Sequence, residues 1–531
     1  FVFLMGYCVL ALLPDAARTQ RNLVAVLLLV LATFTVLSFG AVFTKRKNLM
    51  LMTGGFLIAG ILFKMIYQYS YEKDYLSEFS DQGEALDKLE TGTDLAVLKT
   101  GDESVYRYDQ MGTHSYENSS MQTGTNGTSY YFSVASGDIT NFFNEVDLNT
   151  PWDYHYENLD SRTILDRLAA VKYFVVKAGE EEYLPYGYDT LAAEVEKNDK
   201  LYRAYECKNA LPIGYTYDSY IPEEKYAKMS TVEKQQALLQ GVILSNSTVP
   251  ETTSEFNDRE VPYKLVTGSG CREKDGKLIV TKENAQAKLV FDGLDECETY
   301  LITEGVDYEA LSPRELISDK KWSKMTLYEQ KKIQYENSTW RYWKESQKAY
   351  IDVTGQFLDK TISIFTDKYN AYSGRSDFLC NTGYSVKRKK SITLTFENTG
   401  VYSYKNMKVV CQPIENIESQ TTKLRAESLE NVEIKNHELT GNISVSKDKV
   451  LVISLPYSKG FQAYVDGQKT ELKQANTMYM ALELKKGAHE IRLTYCTPYL
   501  KAGLILTCAG VLCYICVVLA YKKKRGKKKH G

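Results

Sequence analysis

Residues 22–44 read NLVAVLLLVLATFTVLSFGAVFT, 23 positions without a charge. No other feature limits the fold as strongly. A helix crosses the hydrocarbon core of a bilayer with about 20 such residues, and a helix apolar on every side has no water-facing stripe to offer. A second run covers 49–67, with Lys64 near its end, where a long stem lets the ammonium reach the interface. A third covers 502–521. Residues 1–13, FVFLMGYCVLALL, read as the end of a further span. Residue 1 is Phe within an apolar run, and no basic stretch precedes it as in a signal peptide, so the expectation is that the protein continues into the membrane before residue 1.

Lysine and arginine in the short flanks set the expected orientation. The tail YKKKRGKKKHG is expected to be cytoplasmic, as is the loop Lys45-Arg46-Lys47. Residues 69–498 are then extracytoplasmic, in a multi-pass protein of the cell membrane. The short outer loop at 14–21 carries Arg18 and Arg21. An arginine there is chemically suited to a phosphate, against the plainer reading of a solvated loop. Membrane lipid is the expected partner of the spans and the tail.

Net charge is −2, yet the partition is uneven: residues 69–498 hold 51 Lys and Arg against 66 Asp and Glu. That acidic balance argues against nucleic acid as a partner.

The outer segment changes character along its length. Residues 69–92 have helical spacing, and short strand-like runs follow at SVYRYD and TSYYFSVAS. RTILDRLAAVKYFVVKAG predicts a helix over 163–170 and a strand over 172–176. NALPIGY, from Asn209, opens another β segment, and Ser230 with Glu233 has capping-box spacing. Beyond 250 the runs KLIVTK, AQAKLVFDG, TYLITEG, SITLTFEN and KVLVISLPY are short, β-branched and broken by Gly, Asn and Asp. Asp466-Gly467 is placed for a type I′ hairpin turn, and Lys486-Gly487 separates the next two strands. The last strand, with Ile491, Leu493 and Tyr495 alternating, leads through Cys496-Thr-Pro498 into the final span. The fold class is therefore membrane α-helical spans plus a large extracytoplasmic α+β / β-sandwich region. Its divisions are spans over 1–68, an α/β domain over 69–249, a β-sandwich region over 250–498 with a helical insert near 308–350, and a last span with a basic tail over 499–531.

Reactive motifs are scarce. The five histidines, His114, His155, His437, His489 and His530, include no HExxH and no pair at ligand spacing, so no metal is expected. No Gly-rich phosphate loop or GxSxG elbow is present, and no cofactor is evident. Six cysteines lie in the outer segment, Cys207, Cys271, Cys297, Cys380, Cys411 and Cys496. Bridges are weighed there against free buried thiols, with Cys271–Cys297 and Cys380–Cys411 the first pairings to test. Pro151-Trp-Asp-Tyr-His-Tyr156 concentrates aromatic and polar groups. Trp152, Asp153 and His155 are the candidates for a sugar-binding site above the membrane, against a packed aromatic loop. Trp340 and Trp343 read as one face of a helix or turn.

The stretch LPYSKGFQAYVDGQKTELKQANTMYMALELKKGAHEIRLTYCTPYLKAG resembles the C-terminal end of the bacterial YfhO family. AVKYFVV from Ala170 and NALPIG from Asn209 are similar to that family too, as is the order of spans, outer segment, last span and basic tail. Phe461 departs from the pattern, where Trp is expected. The resemblance implies a multi-span glycosyltransferase of the C-type fold taking a sugar from a polyprenyl-phosphate donor. In Gram-positive bacteria the family is associated with glycosylation of lipoteichoic acid, so an envelope polysaccharide or teichoic acid is the implied partner. It also implies a catalytic acid in an outer loop after the first span, ahead of residue 1, so the catalytic residues are unknown here. A membrane-tethered polysaccharide-binding or structural protein is the alternative.

Overall fold

The strand Lys449–Pro456, KVLVISLP, is buried along its first six residues. An unbroken apolar run of this kind belongs to a strand covered on both faces. Val450 and Val452 point into one hydrophobic core, while Leu451 and Ile453 point into another. The four-stranded sheet that contains it, ordered Lys473–Ala475, Tyr479–Leu484, Lys449–Pro456 and Gly214–Tyr217, is thus a shared wall between two parts of the molecule.

The computed structural model describes residues 89–527, apart from 112–117, 149–154, 157, 341–345, 356–358 and 371. The expected spans at 1–13, 22–44 and 49–67, and nearly all of the helix expected over 69–92, lie outside the described residues.

On one side of the shared wall is a mixed sheet. Arg107–Gln110 runs parallel to Val171–Lys177, and Lys200–Cys207 and Tyr188–Lys197 follow antiparallel. A parallel pair requires a long crossover. Here the crossover carries the helices Gly137–Glu145 and Thr163–Leu168, which bury Phe142, Phe143, Ile164, Leu165 and Leu168. The second helix stops two residues before the expected end, because Ala170, fully buried, takes φ 61° and turns the chain into the strand. Further on, Ser230 and Glu233 form the capping box of the helix Thr231–Ala237.

The middle of the chain builds an antiparallel sandwich. One sheet orders Arg259–Val261, Asn406–Pro413, Cys297–Glu304 and Phe378–Ser385. A five-stranded sheet, in which Ala285–Phe291 pairs with Ser391–Phe396, encloses the same core, with Leu289, Leu301, Val353, Ile392 and Val409 inside it. The charged insert forms two helices, Asp319–Trp322 and Leu327–Thr339, neither with a buried residue, and Trp340 closes the second against the sandwich core.

The cysteines follow the register. Cys207, Cys271, Cys297, Cys380 and Cys411 are buried and free. Neither first-choice bridge forms. Cys380 faces Leu301 and Cys411 faces Thr299 on opposite edges of one strand, so they stand two strands apart, about 9.5 Å, too far for a disulfide. Cys271 belongs to a different sheet from Cys297. Cys297 Sγ donates to the Leu294 carbonyl at 3.1 Å instead, and the Cys297 and Cys411 sulfurs lie near Thr299 Oγ1, at 3.7 and 3.9 Å.

The second sandwich packs the shared wall against a five-stranded sheet in which Glu438–Val445, Gly487–Tyr495 and Phe461–Val465 are adjacent. Val465 pairs with Gln468, leaving a two-residue loop in which Asp466 and Gly467 take φ 53° and 76°. That is the I′ turn expected from the sequence. Asp466 is held in this conformation by Glu490 N–H at 2.9 Å and by His489 Nδ1 at 2.8 Å. The chain then leaves through Pro498 into the helix Leu500–Lys527. Its first 21 residues, Leu500–Ala520, have mean hydropathy 2.5 and no buried surface, long and apolar enough to cross a membrane.

Candidate functional site

The helix sequence TILDRL sets two charged residues inside a stretch whose six side chains are all buried. Asp166 and Arg167 leave it in different directions. Each ends in a distinct polar environment, and the one around Arg167 opens to solvent.

Arg167 is fully buried along its side chain, yet lines a cleft of about 1210 Å³. Its Nη2 donates to Glu418 Oε1, and its Nη1 donates to Thr421 Oγ1 at 3.3 Å. Both partners belong to the helix Ile417–Arg425, which links the two sandwiches. The guanidinium also lies 5.6 Å from the Tyr186 ring centre. Asn209 Nδ2 donates to the other Glu418 oxygen at 2.6 Å, so the carboxylate is held from two sides. Gly187, at φ 88°, makes the close passage possible: a Cβ there would stand 2.6 Å from Arg167 Nη2.

Three parts of the chain therefore wall the cleft. Tyr186 and Asp189 come from the mixed sheet and its loops, Tyr384 and Lys387 from the first sandwich, and Glu418 from the linking helix. The Tyr186 and Tyr384 rings meet edge to face, 5.2 Å apart at 62°. Burial raises both phenols above the ordinary tyrosine range, with the Glu418 charge adding to the effect at Tyr186. Burial raises the Glu181 carboxyl on the rim, but the Arg203 guanidinium at 2.6 Å and backbone N–H groups outweigh it, and the net shift is downward. Glu181 is thus an anion in neutral solution. The cleft offers two aromatic faces, fixed carboxylates, an amide and two lysines at its edges. Such a set stacks against pyranose rings and hydrogen-bonds hydroxyls.

Beneath it, Asp166 faces Asp109 with both side chains sealed from water. Asp109 accepts from Thr128 Oγ1 and Gln110 N–H, each at 2.7 Å, and from Leu159 N–H at 3.0 Å. Those bonds favour its ionised form, but burial outweighs them and the net shift of the Asp109 carboxyl is upward. Asp166 lies in the same dry space as Asp109. Burial first, then Asp109, pushes its carboxyl well above the usual range. Both carboxyls are raised, Asp166 the further, so Asp166 is the one that keeps its proton. The loop ahead of the helix is equally constrained. Asn158, Asp160 and Ser161 take φ 44°, 60° and 52° in a sparsely populated region. Arg162, fully buried, ties the loop together through Asp160 at 3.0 Å and the carbonyl of Asp147 at 3.0 Å. Asn381 of the first sandwich donates to the carbonyls of Asp160 and Ser161 at 3.1 and 3.0 Å. This network fixes the helix, and through it Arg167, against both neighbouring layers.

Of the residues singled out from sequence, Trp152 and Asp153 lie outside the described residues, as do Arg18 and Arg21. His155 is buried, on the two-residue strand His155–Tyr156 paired with Tyr130–Tyr131, and is not among the residues lining the cleft. The sequence reading missed Arg167, Tyr186, Tyr384 and Glu418. An Asp-Arg pair inside an otherwise apolar helix was the available signal for the first of them. Among the described residues no cluster of His, Cys, Asp or Glu has the arrangement to hold a metal ion.

Comparison with known proteins supplies the lineage. Residues 1–507 match the model of the family described as "Bacterial membrane protein YfhO". An uncharacterised YfhO protein of Bacillus subtilis (strain 168) is 22% identical over 516 residues, covering 94% of this chain and 54% of that relative. The chain thus spans about half the length of the curated relative it matches. No solved structure matches it. With one helix among the described residues fit to cross a bilayer and a family match over nearly its full length, the chain belongs to the YfhO family of bacterial membrane proteins.

Proposed function

We propose that this chain is the C-terminal part of a membrane glycosyltransferase that moves a sugar from polyprenyl phosphate to a cell-envelope polymer such as lipoteichoic acid, and that the cleft beside Arg167 holds the acceptor. The observation that carries this reading is the cleft itself, with its paired tyrosine faces and fixed carboxylates. Glu181, Glu418 and Asp189 accept hydrogen bonds from sugar or glycerol hydroxyls. Lys208 and Lys387 at the edges supply the cations an anionic polymer needs. The acceptor is too large to enter a bilayer, and a β-rich domain tethered by a membrane helix keeps it near a lipid-linked donor. On this reading the donor chemistry belongs to the membrane part of the protein, where Arg18 and Arg21 are the candidate phosphate contacts. Trp152, Asp153 and His155 remain candidates for a separate acceptor contact.

The test uses the chain in lipid nanodiscs, titrated with lipoteichoic acid fragments, beside Tyr186→Ala and Tyr384→Ala variants. Loss of binding in both variants, with unfolding temperature retained, supports the cleft; binding equal to the parent refutes it. A parallel transfer assay with the longer protein and a polyprenyl-phosphate sugar separates the two function classes. Turnover supports the transferase, and binding without turnover supports a polysaccharide-binding protein.

A further inference from the structure

The last strand, Gly487–Tyr495, leaves the second sandwich at the point where the apolar helix begins five residues later. The 21 residues Leu500–Ala520 rise about 32 Å as a helix, close to the ~30 Å of a hydrocarbon core. The edge of that core therefore lies near Leu500, and Pro498 stands about 3 Å beyond it, within the headgroup layer. Pro498 and Tyr495 line one end of a groove of about 990 Å³ that continues over Phe461 and Tyr457 to the segment 130–139. The Phe461 and Tyr495 rings pack 4.8 Å apart at its membrane end. Across the groove Phe132 is 56% exposed and Val134 77% exposed, an unusual display of large apolar side chains beside one another. Lys435, His437 and Lys459 stand along the same walls with Asp138 and Glu438; Arg492 engages Glu438 at 2.5 Å, and Lys435 pairs with the exposed Glu433 at 2.8 Å, a surface pair that a phosphate can replace.

We infer that this groove is a lipid seat: a phospholipid of the leaflet from which the helix enters lays its acyl chain along Phe132, Val134 and Phe461, with its phosphate toward Lys435 and Lys459. The surface is continuous with the membrane interface that the helix defines. Aromatic and basic side chains at that depth are those that bilayer interfaces select. Contact with lipid also covers two apolar side chains that water would otherwise surround. The inference rests on the family's place in the membrane, not on the acceptor reading of the other cleft, and a failure of one leaves the other standing.

The experiment places the chain in nanodiscs of ordinary or brominated phosphatidylcholine and compares Phe132→Trp with the parent. The expected result is an additional loss of tryptophan emission in brominated discs for Phe132→Trp, and a matching loss for Val134→Trp. Tyr328→Trp, on the exposed helix Leu327–Thr339 of the other sandwich, serves as control and should add none. Emission from both groove variants that ignores bromination overturns the proposal. So does a change that depends on two copies per disc and not on the lipid, which would assign the groove to a second copy of the chain.

Discussion

Arg167 and Glu418 form an ion pair whose two ends differ in exposure, and that difference predicts an asymmetric response to mutation. The Arg167 side chain is 0% exposed and that of Glu418 is 34% exposed. Glu418→Ala leaves a buried guanidinium with Thr421 Oγ1 and the Tyr186 ring as its remaining company. Stranding a fully buried charge costs about 3–5 kcal/mol, and the water that reaches this pair lowers the figure to about 2–3 kcal/mol. Arg167→Met retains the stem's packing and leaves a carboxylate that can turn into the cleft water while keeping Asn209. The loss there is about 1 kcal/mol. The double variant should recover most of the Glu418→Ala loss, since no charge is then stranded. A unit of more than 400 residues unfolds with an entropy near 1 kcal/mol per degree, so Glu418→Ala should lower Tm by about 2–3 °C and Arg167→Met by about 1 °C. Thermal unfolding in nanodiscs, followed by near-UV circular dichroism, reads both shifts. Equal losses from the two single variants, or a double variant as unstable as Glu418→Ala, would refute the stranded-charge argument.

Three further outcomes follow from the same structure. Gly467→Val should cost more than about 1 kcal/mol, since a β-branched residue resists the φ of 76° in the I′ turn, and a Tm equal to the parent's would contradict the turn assignment. Ser230→Ala should cost about 1 kcal/mol by removing the hydroxyl that accepts from Glu233 N–H, whereas Ser230→Gly should cost only a few tenths; identical behaviour would deny the cap a role. Asp166 is raised in the folded state, so folding retains a proton the unfolded chain releases above about pH 4, and this group's contribution falls as pH climbs from there toward the folded value. Asp166→Asn should flatten the decline of Tm between pH 4 and 8, and an unchanged slope would show that another group sets it.

Local patterns in the sequence translate well where one short signal decides the geometry. Ser230 with Glu233, Asp466 with Gly467, and the strand KVLVISLP all act through neighbours within a few residues. The run TSYYFSVAS shows the opposite. It has β propensity throughout, but only Tyr130–Tyr131 forms strand, and Phe132 and Val134 are left at the surface of a groove. Long-range pairing is less legible still. Nothing local in GYTY announces that Gly214–Tyr217 completes a sheet with residues 449–484, because an edge partner is chosen by shape and burial over the whole fold. The cleft has the same character. Tyr186, Tyr384 and Glu418 are unremarkable in sequence, and only the docking of three layers brings them around Arg167.

The shared wall also carries a consequence for the order of folding. Tyr215 and Tyr217 need Val450 and Val452 beside them, and Ile243 N–H bonds to Asn476 Oδ1 across 233 residues of chain. A ribosome releases the early partner long before the late one. During that interval the first core has an open flank of tyrosine and aliphatic side chains with its sheet edge unpaired, the exposure that invites premature association. The first sandwich, closed within residues 261–411, can assemble meanwhile on its own contacts. The second sandwich is then the closing element of two cores at once, so a lesion in Lys449–Pro456 should be felt first as poor yield of folded chain, with the damage registered more than 200 residues upstream.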